Sequence, residues 1–544
     1  MDASDEPNPK AANSHRAIFW LLLVLAIVTV IRIRLVNIPF ERDEGEFAYG
    51  GQLLLEGVSP YQGDYNVGLK FPGTCAAYAL AMWFLGQTVV AVHAAIILVT
   101  LATAIFLFLV TRRMCGDGAG VIAAGTYSLL SLSPPSLGLA AHATHFVMLP
   151  AMAGIYLLQN LDERTASIRI FFAGLLVGVA LMMKQTGAIF GVFAAAWTVY
   201  CEFCAAQRNL GRLARRLGWL AAGGILPFVL TCAAITLAGD WPLFWMWSFK
   251  VVRAHSAIIT FGEGMKAAAG LVAQLFMADA GLWCLAIAGL ALLCFAAPPS
   301  LQRWRFFIAA FVFCSVAAVY PGWRGHYFIQ MFPALGLLAG FAFYALWPML
   351  ERLKMSLSPP TVLTPVFLMA MAGPLLQWAP VYFTLTPAQV LRAIYNTNPF
   401  PEAVEVGHYL QEHCPADRTV AVLGSEPEIY FYSHRRAATG YISAYAMMEP
   451  QPYALSMQRQ MIHEIEASHP EYVVFVHVPD SWLQYSDSNP LIFKWYQSYQ
   501  RRRLQLVGLV EIPDQGPTRY RWFSGNPTNI QTSVQCWIGV FKAR

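Results

Sequence analysis

Residues Phe40–Pro72 read FERDEGEFAYGGQLLLEGVSPYQGDYNVGLKFP and lie between two strongly apolar segments. The stretch carries the carboxylates Glu41, Asp43, Glu44, Glu46, Glu56 and Asp64. Ionisable side chains beside a membrane span are costly unless they face water, and where they occur they usually serve a function. We therefore interpret Phe40–Pro72 as a hydrated loop that forms a functional site next to the first span of a membrane protein.

The composition indicates that much of the remaining chain is embedded in a membrane. Of 544 residues, 57% are hydrophobic and 12% are charged, and the mean hydropathy is +0.49. Soluble globular proteins carry about twice that charged fraction, so the chain is predicted to be a polytopic membrane protein. The first apolar run, Ile18–Ile31, has no small-residue cleavage site after it and is interpreted as a retained helix. The net charge of +5 gives no reason to expect a nucleic-acid partner.

Eleven apolar segments qualify as membrane spans, since a span needs about 20 residues and longer ones can tilt. They are 17–36, 88–111, 117–133, 136–159, 168–183, 187–202, 217–239, 267–297, 305–321, 326–349 and 361–383. If the polar tail 1–16 is cytoplasmic, the arginine-rich loops fall on the cytoplasmic side, as the positive-inside rule predicts. Their basic residues are Arg112, Arg113, Arg164, Arg169, Arg208, Arg212, Arg215, Arg216, Arg303, Arg305, Arg352 and Lys354. We predict a multi-pass protein of the plasma or inner membrane with a cytoplasmic N-terminus.

This orientation restricts the segment FPGTCAAYALAMWFLG at 71–86. If that segment crossed the membrane, Arg112 and Arg113 would lie outside and every later loop would be inverted. Residues 37–87 are therefore predicted to form one outer loop with interfacial or partly inserted helices, the last of which ends at Gly86. Irregular backbone persists at membrane depth only where it is buried in protein or lines a water-filled cavity.

The composition changes after Phe383, and residues 384–544 are more polar and rich in aromatic side chains. Strand-like runs occur at 419–424, 472–478, 504–512 and 537–541, and helical patterns at 401–413 and 454–467. This alternation predicts a small α/β domain, which an odd number of spans places outside the cell. The predicted fold is an α-helical polytopic membrane protein, with a membrane module at 17–383 and an extracytoplasmic α/β domain at 384–544.

The cysteines of this last region are Cys414 and Cys536. Extracytoplasmic compartments permit disulfides, and we predict that these two residues form one. Cys201 and Cys204 form a C-x-x-C, but without a second pair or a nearby histidine they are attributed to packing and not to a metal site.

The first loop resembles a known signature once its residues are taken together. In order, the loop presents Asp43-Glu44, aromatic Phe47 and Tyr49, a spacer with Gly57 and Pro60, and Lys70-Phe71-Pro72. This arrangement is similar to the first loop of the GT-C glycosyltransferases, in particular the superfamily of aminoarabinose transferases and protein O-mannosyltransferases. Three later stretches resemble the same family: 178–187 (GVALMMKQTG), 325–333 (GHYFIQMFP) and 422–432 (VLGSEPEIYFY).

The resemblance implies an inverting transferase that moves a sugar from a polyprenyl-phosphate carrier to an acceptor lipid, glycan or protein at the outer membrane face. An acceptor hydroxyl needs a base to take its proton, and the resemblance assigns this catalytic role to Asp43, with Glu44 beside it. The leaving phosphate gains charge and needs a cation, which the resemblance supplies as Lys70. Further candidate contacts to the donor phosphate are Arg32, Arg34, Lys184 and Arg324.

The acidic residues also have a structural interpretation. Asp43 suits the N-cap of a helix at Glu44–Leu55. Glu44 and Glu46 suit the first turn of such a helix because their charges interact favourably with its dipole. Both interpretations of these residues stay open at this point.

The cationic and aromatic candidates have structural interpretations as well. Lys70 and Lys184 suit interfacial anchors whose aliphatic stems lie in the apolar layer. Arg324, His326 and Tyr327 suit an interfacial belt at the end of a span. These alternatives stay open beside the functional ones.

The resembling family tends to carry an acidic residue in the second outer loop, where this chain reads SPPSLGLAAHATHFVMLP. His142 and His145 occupy that stretch three residues apart, a spacing that lets them share a helix face. They suit acceptor contact, a helix end in a wet cleft, or a metal, for which two imidazoles are an incomplete ligand set. We predict no metal site and no cofactor, leaving a divalent cation open. The predicted acceptor-binding or site-lining residues are Glu46, Tyr49, His142, His145, His326 and Tyr327.

Two other functions fit a polytopic membrane protein: a lipid or glycan transporter (a flippase), and a non-catalytic glycan-binding protein. A transporter favours ionisable residues on paired broken helices near mid-span, and the sequence contains no evident Asp or Glu pair there. A non-catalytic protein leaves the loop with Asp43 and Lys70 unexplained. The sequence leaves the sugar, the acceptor and the oligomeric state open.

Overall fold

The computed structural model describes residues 9–59, 61, 70–162, 165–296, 301–320, 324–352, 358–525 and 532–544, and for residues 9–14, 302, 303, 359 and 360 it describes the backbone alone. Pro60, Asp64, Arg164, Lys354 and the first eight residues of the predicted tail lie outside the described residues. Two compact units emerge. The helical unit contains Met1–Val36, His93–Leu230 and Phe261–Thr384, and the mixed unit contains Asn37–Val92, Thr231–Thr260 and Leu385–Arg544. The predicted domain boundaries stay a prediction.

The helices in chain order are α1 (Pro9–Arg34), α2 (Arg42–Leu55), α3 (Gly73–Leu85), α4 (Val89–Cys115), α5 (Asp117–Leu130), α6 (Ala143–Leu158), α7 (Ser167–Met183), α8 (Ala188–Phe203), α9 (Leu210–Leu237), α10 (Trp241–Trp245), α11 (Val252–Ser256), α12 (Phe261–Ala278), α13 (Ala280–Phe295), α14 (Gln302–Ala317), α15 (Phe332–Arg352), α16 (Pro359–Gln377), α17 (Pro387–Tyr395), α18 (Phe400–His413), α19 (Glu428–Ser433), α20 (Tyr445–Met448), α21 (Ala454–Ser468), α22 (Pro479–Trp482) and α23 (Leu491–Arg503). The strands are β1 (Val420–Leu423), β2 (Tyr472–His477), β3 (Leu504–Ile512), β4 (Arg519–Trp522) and β5 (Cys536–Ala543). Short 3-10 or π turns occur at Pro134–Ser136, Gln185–Gly187, Met246–Val251, Gly325–Gln330 and Pro380–Thr384.

Each of the predicted spans overlaps an apolar helix of the described chain, in the series α1, α4–α9 and α13–α16. Among the described residues, five helices are long and apolar enough to cross a membrane, or six if the bent pair α12–α13 counts as one span. Several shorter apolar helices accompany them. Together with the sheet described below, these helices confirm the predicted fold class.

The predicted span 267–297 is bent in the structure. The axes of α12 and α13 differ by 109°, and the break between them falls at Asp279. Aspartate is unfavourable inside a helix because its side chain competes with the helix for hydrogen bonds to nearby backbone groups. The Asp279 side chain is buried at the bend, where its Oδ2 accepts a hydrogen bond from Ser133 Oγ at 2.5 Å.

Small residues allow the helices of the helical unit to pack backbone against backbone. On α15, a Cβ atom at Gly336 would lie 2.5 Å from the carbonyl oxygen of Ala123, and one at Gly340 would lie 2.4 Å from that of Ala119. Close approach through glycine and alanine is the usual way in which membrane helices gain van der Waals contact without a hydrophobic driving force. The pair α5–α15 is therefore a tightly packed core of this unit.

The mixed unit contains a five-stranded sheet in the order β1-β2-β5-β3-β4. Strands β1 and β2 are parallel, and the other neighbours are antiparallel. The strand-like and helical patterns in the sequence correspond to β1, β2, β3 and β5 and to α18 and α21. Strand β4 has no counterpart among the predictions. Its sequence, Arg519–Trp522, alternates arginine with an aromatic residue, but it is only four residues long and exposed, and it pairs with β3.

Helix α3 covers most of the apolar segment 71–86 and belongs to the mixed unit. Its 13 residues extend for about 20 Å at 1.5 Å per residue, which is shorter than the roughly 30 Å of hydrocarbon that a span must cross. The helix ends, as predicted, at Gly86, whose φ of 85° favours glycine. Trp83 and Phe84 are exposed at this end.

The predicted disulfide between Cys414 and Cys536 is wrong, because both cysteines are free. Cys414 follows α18 near Tyr472, whose hydroxyl donates to the carbonyl of the preceding His413. Tyr472 pairs with Lys542 near the end of β5, whereas Cys536 begins that strand. Cys414 therefore lies near the Lys542 end of β5, and Cys536 lies at the opposite end, six residues or about 20 Å away along the strand. A disulfide needs the two Cα atoms within about 7 Å.

Candidate active site

Helix α2 begins with a capping box that does not involve Asp43. The Glu41 side chain accepts a hydrogen bond from the backbone N–H of Glu44 at 3.0 Å, and the Glu44 carboxylate accepts one from the backbone N–H of Glu41 at 3.2 Å. This exchange satisfies donors that the first helical turn leaves open. The interpretation of Asp43 as the N-cap is therefore wrong. The Glu44 carboxylate, which was predicted to be catalytic, contributes to the cap and is buried.

The predicted pair of Asp43 and Lys70 is in direct contact. Lys70 Nζ donates to Asp43 Oδ1 at 2.9 Å and to Glu46 Oε2 at 3.0 Å. The same ammonium lies 4.4 Å from the centroid of the Phe47 ring, a distance at which a cation is attracted to the ring face. Asp43 and Glu46 are three residues apart and share one face of α2. Two carboxylates and one cation thus form a compact group that is accessible to solvent, with 30% of the Asp43 side chain exposed.

Tyr61 fixes the backbone that carries Lys70. Its hydroxyl donates to the Lys70 carbonyl oxygen at 2.9 Å and lies 3.3 Å from Ser248 Oγ. Tyr61 is fully buried, and its ring packs edge-on against Phe244 with centroids 5.1 Å apart. The segment 231–260 therefore supports the lysine within the mixed unit.

Burial and neighbouring charge set the protonation of this group. Burial raises the pKa of Glu46, while the charge of Lys70 opposes that shift and the charge of Asp43 adds to it. Burial alone would lower the pKa of Lys70, but the charges of Asp43 and Glu46 outweigh it and raise that pKa. The lysine is therefore an ammonium at any physiological pH and keeps a positive charge beside Asp43.

The raised pKa of Glu46 makes Glu46→Gln a test of this electrostatic account. A carboxyl group with a raised pKa in the folded state favours folding at low pH, and it opposes folding as the pH rises through that pKa. We expect the Tm of the wild type, relative to Glu46→Gln, to fall as the pH rises from the ordinary glutamate value of 4.5 towards neutrality. Thermal unfolding of both purified proteins across that range measures the difference. A difference in Tm that stays constant contradicts the assignment.

Tyr49, which was predicted to line the site, contacts the C-terminal region of the mixed unit. Its hydroxyl accepts a hydrogen bond from the backbone N–H of Ala437 at 2.9 Å, and its ring lies 5.2 Å from that of Tyr430. With 2% of its surface exposed, Tyr49 fastens α2 to the C-terminal region of the mixed unit.

A second group of predicted residues lies together in the helical unit. The rings of His142 and His326 stack with centroids 4.2 Å apart and planes 14° apart. Tyr327 meets the His326 ring edge-on at 4.6 Å, and Lys184 Nζ lies 3.3 Å from the Tyr327 centroid. Residues from three separate parts of the sequence thus form a continuous row of three rings that ends in the Lys184 ammonium.

Arg32 and His145 support the loop that leads to His142. Arg32 Nη2 donates to the carbonyl oxygens of Ser131 at 2.9 Å and Gly138 at 3.1 Å. His145 Nε2 lies 3.2 Å from the same Gly138 oxygen. Arg32 has 4% of its surface exposed and His145 none, and both residues hold the backbone of this loop through Gly138.

The other predicted phosphate contacts have different surroundings. Arg34 Nη1 donates to the carbonyl oxygen of Val381 at 3.4 Å. Arg324 is exposed and precedes the 3-10 turn Gly325–Gln330, which carries His326 and Tyr327. Of the two arginines, Arg324 is therefore the more accessible to an anionic ligand.

Sequence reasoning missed three polar residues. Arg42 lies inside the acidic run, directly before Asp43. A basic residue at that position is a sequence signal that could have pointed to a role beside the candidate base. Tyr61 and Asp279 carry no comparable signal, because a tyrosine in a polar loop and an aspartate between apolar segments are common. Their contacts become evident only from the folded structure.

No protein-family model matches this sequence, and no curated protein matches it significantly. Solved structures do match its fold. ArnT from Cupriavidus metallidurans bound to undecaprenyl phosphate is 12% identical, with a TM-score of 0.58 over 96% of this chain and 98% of that one. The same protein in the apo state is 14% identical, with a TM-score of 0.56 and the same coverage.

The archaeal oligosaccharyltransferase AglB from Archaeoglobus fulgidus, in complex with an inhibitory peptide and a dolichol-phosphate, also matches. It is 13% identical, with a TM-score of 0.50 over 93% of this chain and 74% of that one. These matched proteins are GT-C glycosyltransferases. The resemblance to that group is thereby confirmed at the level of the fold.

Proposed function

We propose that the chain is an integral-membrane inverting glycosyltransferase that moves a sugar from a polyprenyl-phosphate carrier to an acceptor lipid, glycan or protein. The observation that carries the proposal is the Lys70 ammonium held between Asp43 and Glu46 at the start of α2. A base and a cation in contact are the two groups that displacement of a phosphate by a hydroxyl requires. The GT-C fold supports the same class of reaction.

In the proposed reaction, Asp43 acts on the acceptor. Its carboxylate accepts the proton of the acceptor hydroxyl while that oxygen bonds to the anomeric carbon of the sugar. The bond between the anomeric carbon and the phosphate oxygen breaks at the same time, and its electron pair leaves with polyprenyl phosphate. A base contributes about 10²–10⁴-fold to such a step. Because Lys70 favours the ionised form of its neighbour, Asp43 is ready to receive a proton at neutral pH.

Lys70 acts on the leaving group. The carrier phosphate changes from a singly charged diester to a doubly charged monoester, and a fixed cation stabilises that additional charge. Lysine suits the role because its ammonium is a compact charge with three donors on a flexible stem. The solved ArnT structure holds undecaprenyl phosphate and the AglB structure holds a dolichol-phosphate and a peptide, which supports a polyprenyl donor for this chain.

The second group, in the helical unit, is proposed to contact donor or acceptor. Lys184 and Arg324 offer charge to a phosphate, while His142, His326 and Tyr327 offer ring faces and polar edges. Asp43 alone is proposed as the catalytic base. Glu44 is not included, because its carboxylate accepts a hydrogen bond in the capping box.

The proposal places the reaction at the outer face of the plasma or inner membrane. The arginine-rich loops support a cytoplasmic N-terminus through the positive-inside rule. That orientation puts the loop of Asp43 and Lys70 and the C-terminal sheet outside the cytoplasm. A cysteine-accessibility experiment on intact cells tests this topology, with one cysteine introduced at Glu56 or at Asp117 in a variant whose own cysteines are replaced. Glu56→Cys should react with an impermeant reagent and Asp117→Cys should not.

Incubation with a panel of polyprenyl-phosphate sugars tests the proposed activity. Purified protein in bilayers is supplied with each donor and with membrane lipids as acceptors, and the released polyprenyl phosphate is measured by mass spectrometry. We expect release from one class of donor, dependent on acceptor and absent in Asp43→Asn. Absence of release from every donor, in protein that is folded and supplied with cell-envelope acceptors, overturns the proposal.

One observation favours transport as a second candidate function. The broken pair α12–α13 carries a buried aspartate, Asp279, at the break, and broken helices with ionisable residues are typical of transporters. Vesicles that contain the protein and a fluorescent polyprenyl-phosphate sugar in one leaflet distinguish the two functions. Movement of the label to the other leaflet without formation of a glycosylated product supports transport.

A further inference from the structure

The stretch 422–432, which resembles the GT-C family without an evident role, lies against the helix that carries Asp43. Three contacts attach α2 and its lead-in to this region. Phe40 donates its backbone N–H to the Tyr432 hydroxyl at 2.8 Å, and Gln52 Nε2 donates to the carbonyl oxygen of Phe431 at 3.3 Å. At Gly45, an added Cβ would lie 2.6 Å from both the backbone nitrogen and the Cβ of Glu428. The backbone of α2 therefore rests directly on the start of α19.

Arg42 attaches the same helix to the C-terminal region through several groups at once. Its Nη2 donates to Glu426 Oε1 at 2.9 Å and to Asn398 Oδ1 at 3.1 Å, and its Nε donates to the carbonyl oxygen of Ser425. The guanidinium also lies 5.2 Å from the Tyr445 ring centroid. One side chain thus joins three separate segments of the C-terminal region to the first turn of α2.

Glu426, the partner of Arg42 in this ion pair, is itself held in place. Glu426 has no exposed side-chain surface, and its Oε2 accepts hydrogen bonds from the backbone N–H of Ser425 at 2.8 Å and from Ser481 Oγ at 2.6 Å. The Arg42 side chain has 12% of its surface exposed. A charge pair that is buried and fully hydrogen-bonded fixes geometry, and removing one partner leaves the other charge without compensation.

We propose that Arg42 is a positioning residue for the transfer reaction, which holds the adjacent Asp43 in place by clamping the first turn of α2 to Glu426 and Asn398. The inference rests on the proposed function of Asp43. Arg42 and Asp43 are consecutive residues of a helix and project about 100° apart, so one fastens the turn to the C-terminal region while the other contacts Lys70. The stretch 422–432 is then the surface against which α2, the helix that carries Asp43, packs.

The clamp has a measurable consequence because a misplacement of about 1 Å in a reacting group can cost 10²-fold in rate. Arg42→Met keeps the length of the side chain and removes its charge and donors. We expect kcat to fall by about 10–100-fold, with the KM for the donor changed by less than about twofold, because the donor cation Lys70 is retained. Arg42→Lys keeps the charge without the forked donor geometry and should recover part of the loss.

The hydrogen-exchange rate of the α2 amides, measured on the full-length protein in bilayers, tests whether Arg42 holds α2 in place, and it does so independently of activity. In Arg42→Met these amides should exchange about tenfold faster than in the wild type, whereas amides of β2 and β5 should not change. Arg436→Gln is the matched control: Arg436 pairs with Glu56 at the other end of α2, at 2.7 Å, with 38% and 50% of the two side chains exposed. An exposed pair contributes little, so both kcat and exchange should stay at wild-type values in this variant.

Glu426→Gln keeps an acceptor for Ser425 and removes the charge that Arg42 neutralises. If the two residues act as one clamp, the variant Arg42→Met/Glu426→Gln should lose no more activity than Arg42→Met alone. The proposal is overturned if α2 exchange in Arg42→Met equals that of the wild type, or if kcat per folded molecule is unchanged. If the wild type transfers no sugar from any donor, the proposed function fails, while the exchange experiment still decides whether the clamp exists.

Discussion

Replacing Asp43 with asparagine is expected to lower kcat by about 10²–10⁴-fold, because the amide cannot accept the proton of the acceptor hydroxyl. Asparagine keeps the shape of the side chain and an oxygen that can accept from Lys70, so the fold and the position of the lysine should persist. The KM for the donor should change little. Release of polyprenyl phosphate and formation of product, measured under single turnover, give the rate.

Glu56→Gln is the matched control for Asp43→Asn. Glu56 is an acidic residue at the opposite end of α2, half exposed and paired with Arg436. Loss of its charge should leave the rate within about twofold of the wild type, since exposed ion pairs contribute little. If Asp43→Asn retains more than about a tenth of the wild-type rate, Asp43 is not the base.

Replacing Lys70 with methionine is expected to lower kcat/KM for the donor by about 10²–10³-fold, the range found when one charge-stabilising group is removed from a reaction site. The value of kcat/KM for the donor should fall, whereas the KM for the acceptor should not change. A second effect follows from the ion pairs of Lys70 with Asp43 and Glu46. Without the cation the two carboxylates repel each other, so the acidic limb of the pH–rate profile should move to higher pH.

Lys70→Arg separates the charge from the geometry of the ammonium. Arginine keeps a cation beside Asp43, so the acidic limb should stay at its wild-type position while the rate falls less than in Lys70→Met. Unchanged donor kinetics in Lys70→Met would leave Lys70 as a structural anchor for Asp43 and Glu46. Steady-state rates from pH 5 to about 9 measure both effects.

Much of the fold could be predicted from the sequence because hydrophobic length and loop charge are strong local signals. The apolar segments correspond to helices α1, α4–α9 and α13–α16, and the strand patterns correspond to β1, β2, β3 and β5. The bend within the predicted span 267–297 was not evident from the sequence, because apolarity alone does not reveal one. Asp279 lies at the break between α12 and α13, whose axes differ by 109°.

The contact between Asp43 and Lys70 could be anticipated only through the family resemblance, since 26 residues of sequence separate them. The capping box could not, because Glu41, Asp43 and Glu44 all suit a helix N-terminus and local sequence does not rank them. Packing decided the matter: Glu41 and Glu44 are buried, while 30% of the Asp43 side chain is exposed beside the lysine. The disulfide prediction failed for a similar reason, because the register of β5 determines the separation of Cys414 and Cys536.

The supporting contacts around α2 were beyond sequence reasoning because they join distant parts of the chain. Arg42 meets Glu426, and Tyr61 meets Ser248, at separations of 384 and 187 residues. No periodicity or local propensity encodes such pairs. They depend on how the first loop, the segment 231–260 and the C-terminal region pack into one compact unit.

The anomeric configuration of the product tests the central claim most directly. A single displacement, with Asp43 as a base and polyprenyl phosphate as the leaving group, attacks the anomeric carbon from the face opposite the phosphate. The product formed from a donor of known configuration should therefore be inverted, as read from the coupling of its anomeric proton in the NMR spectrum. Retention of configuration would contradict the account, because a single displacement from the face opposite the phosphate always inverts the anomeric carbon.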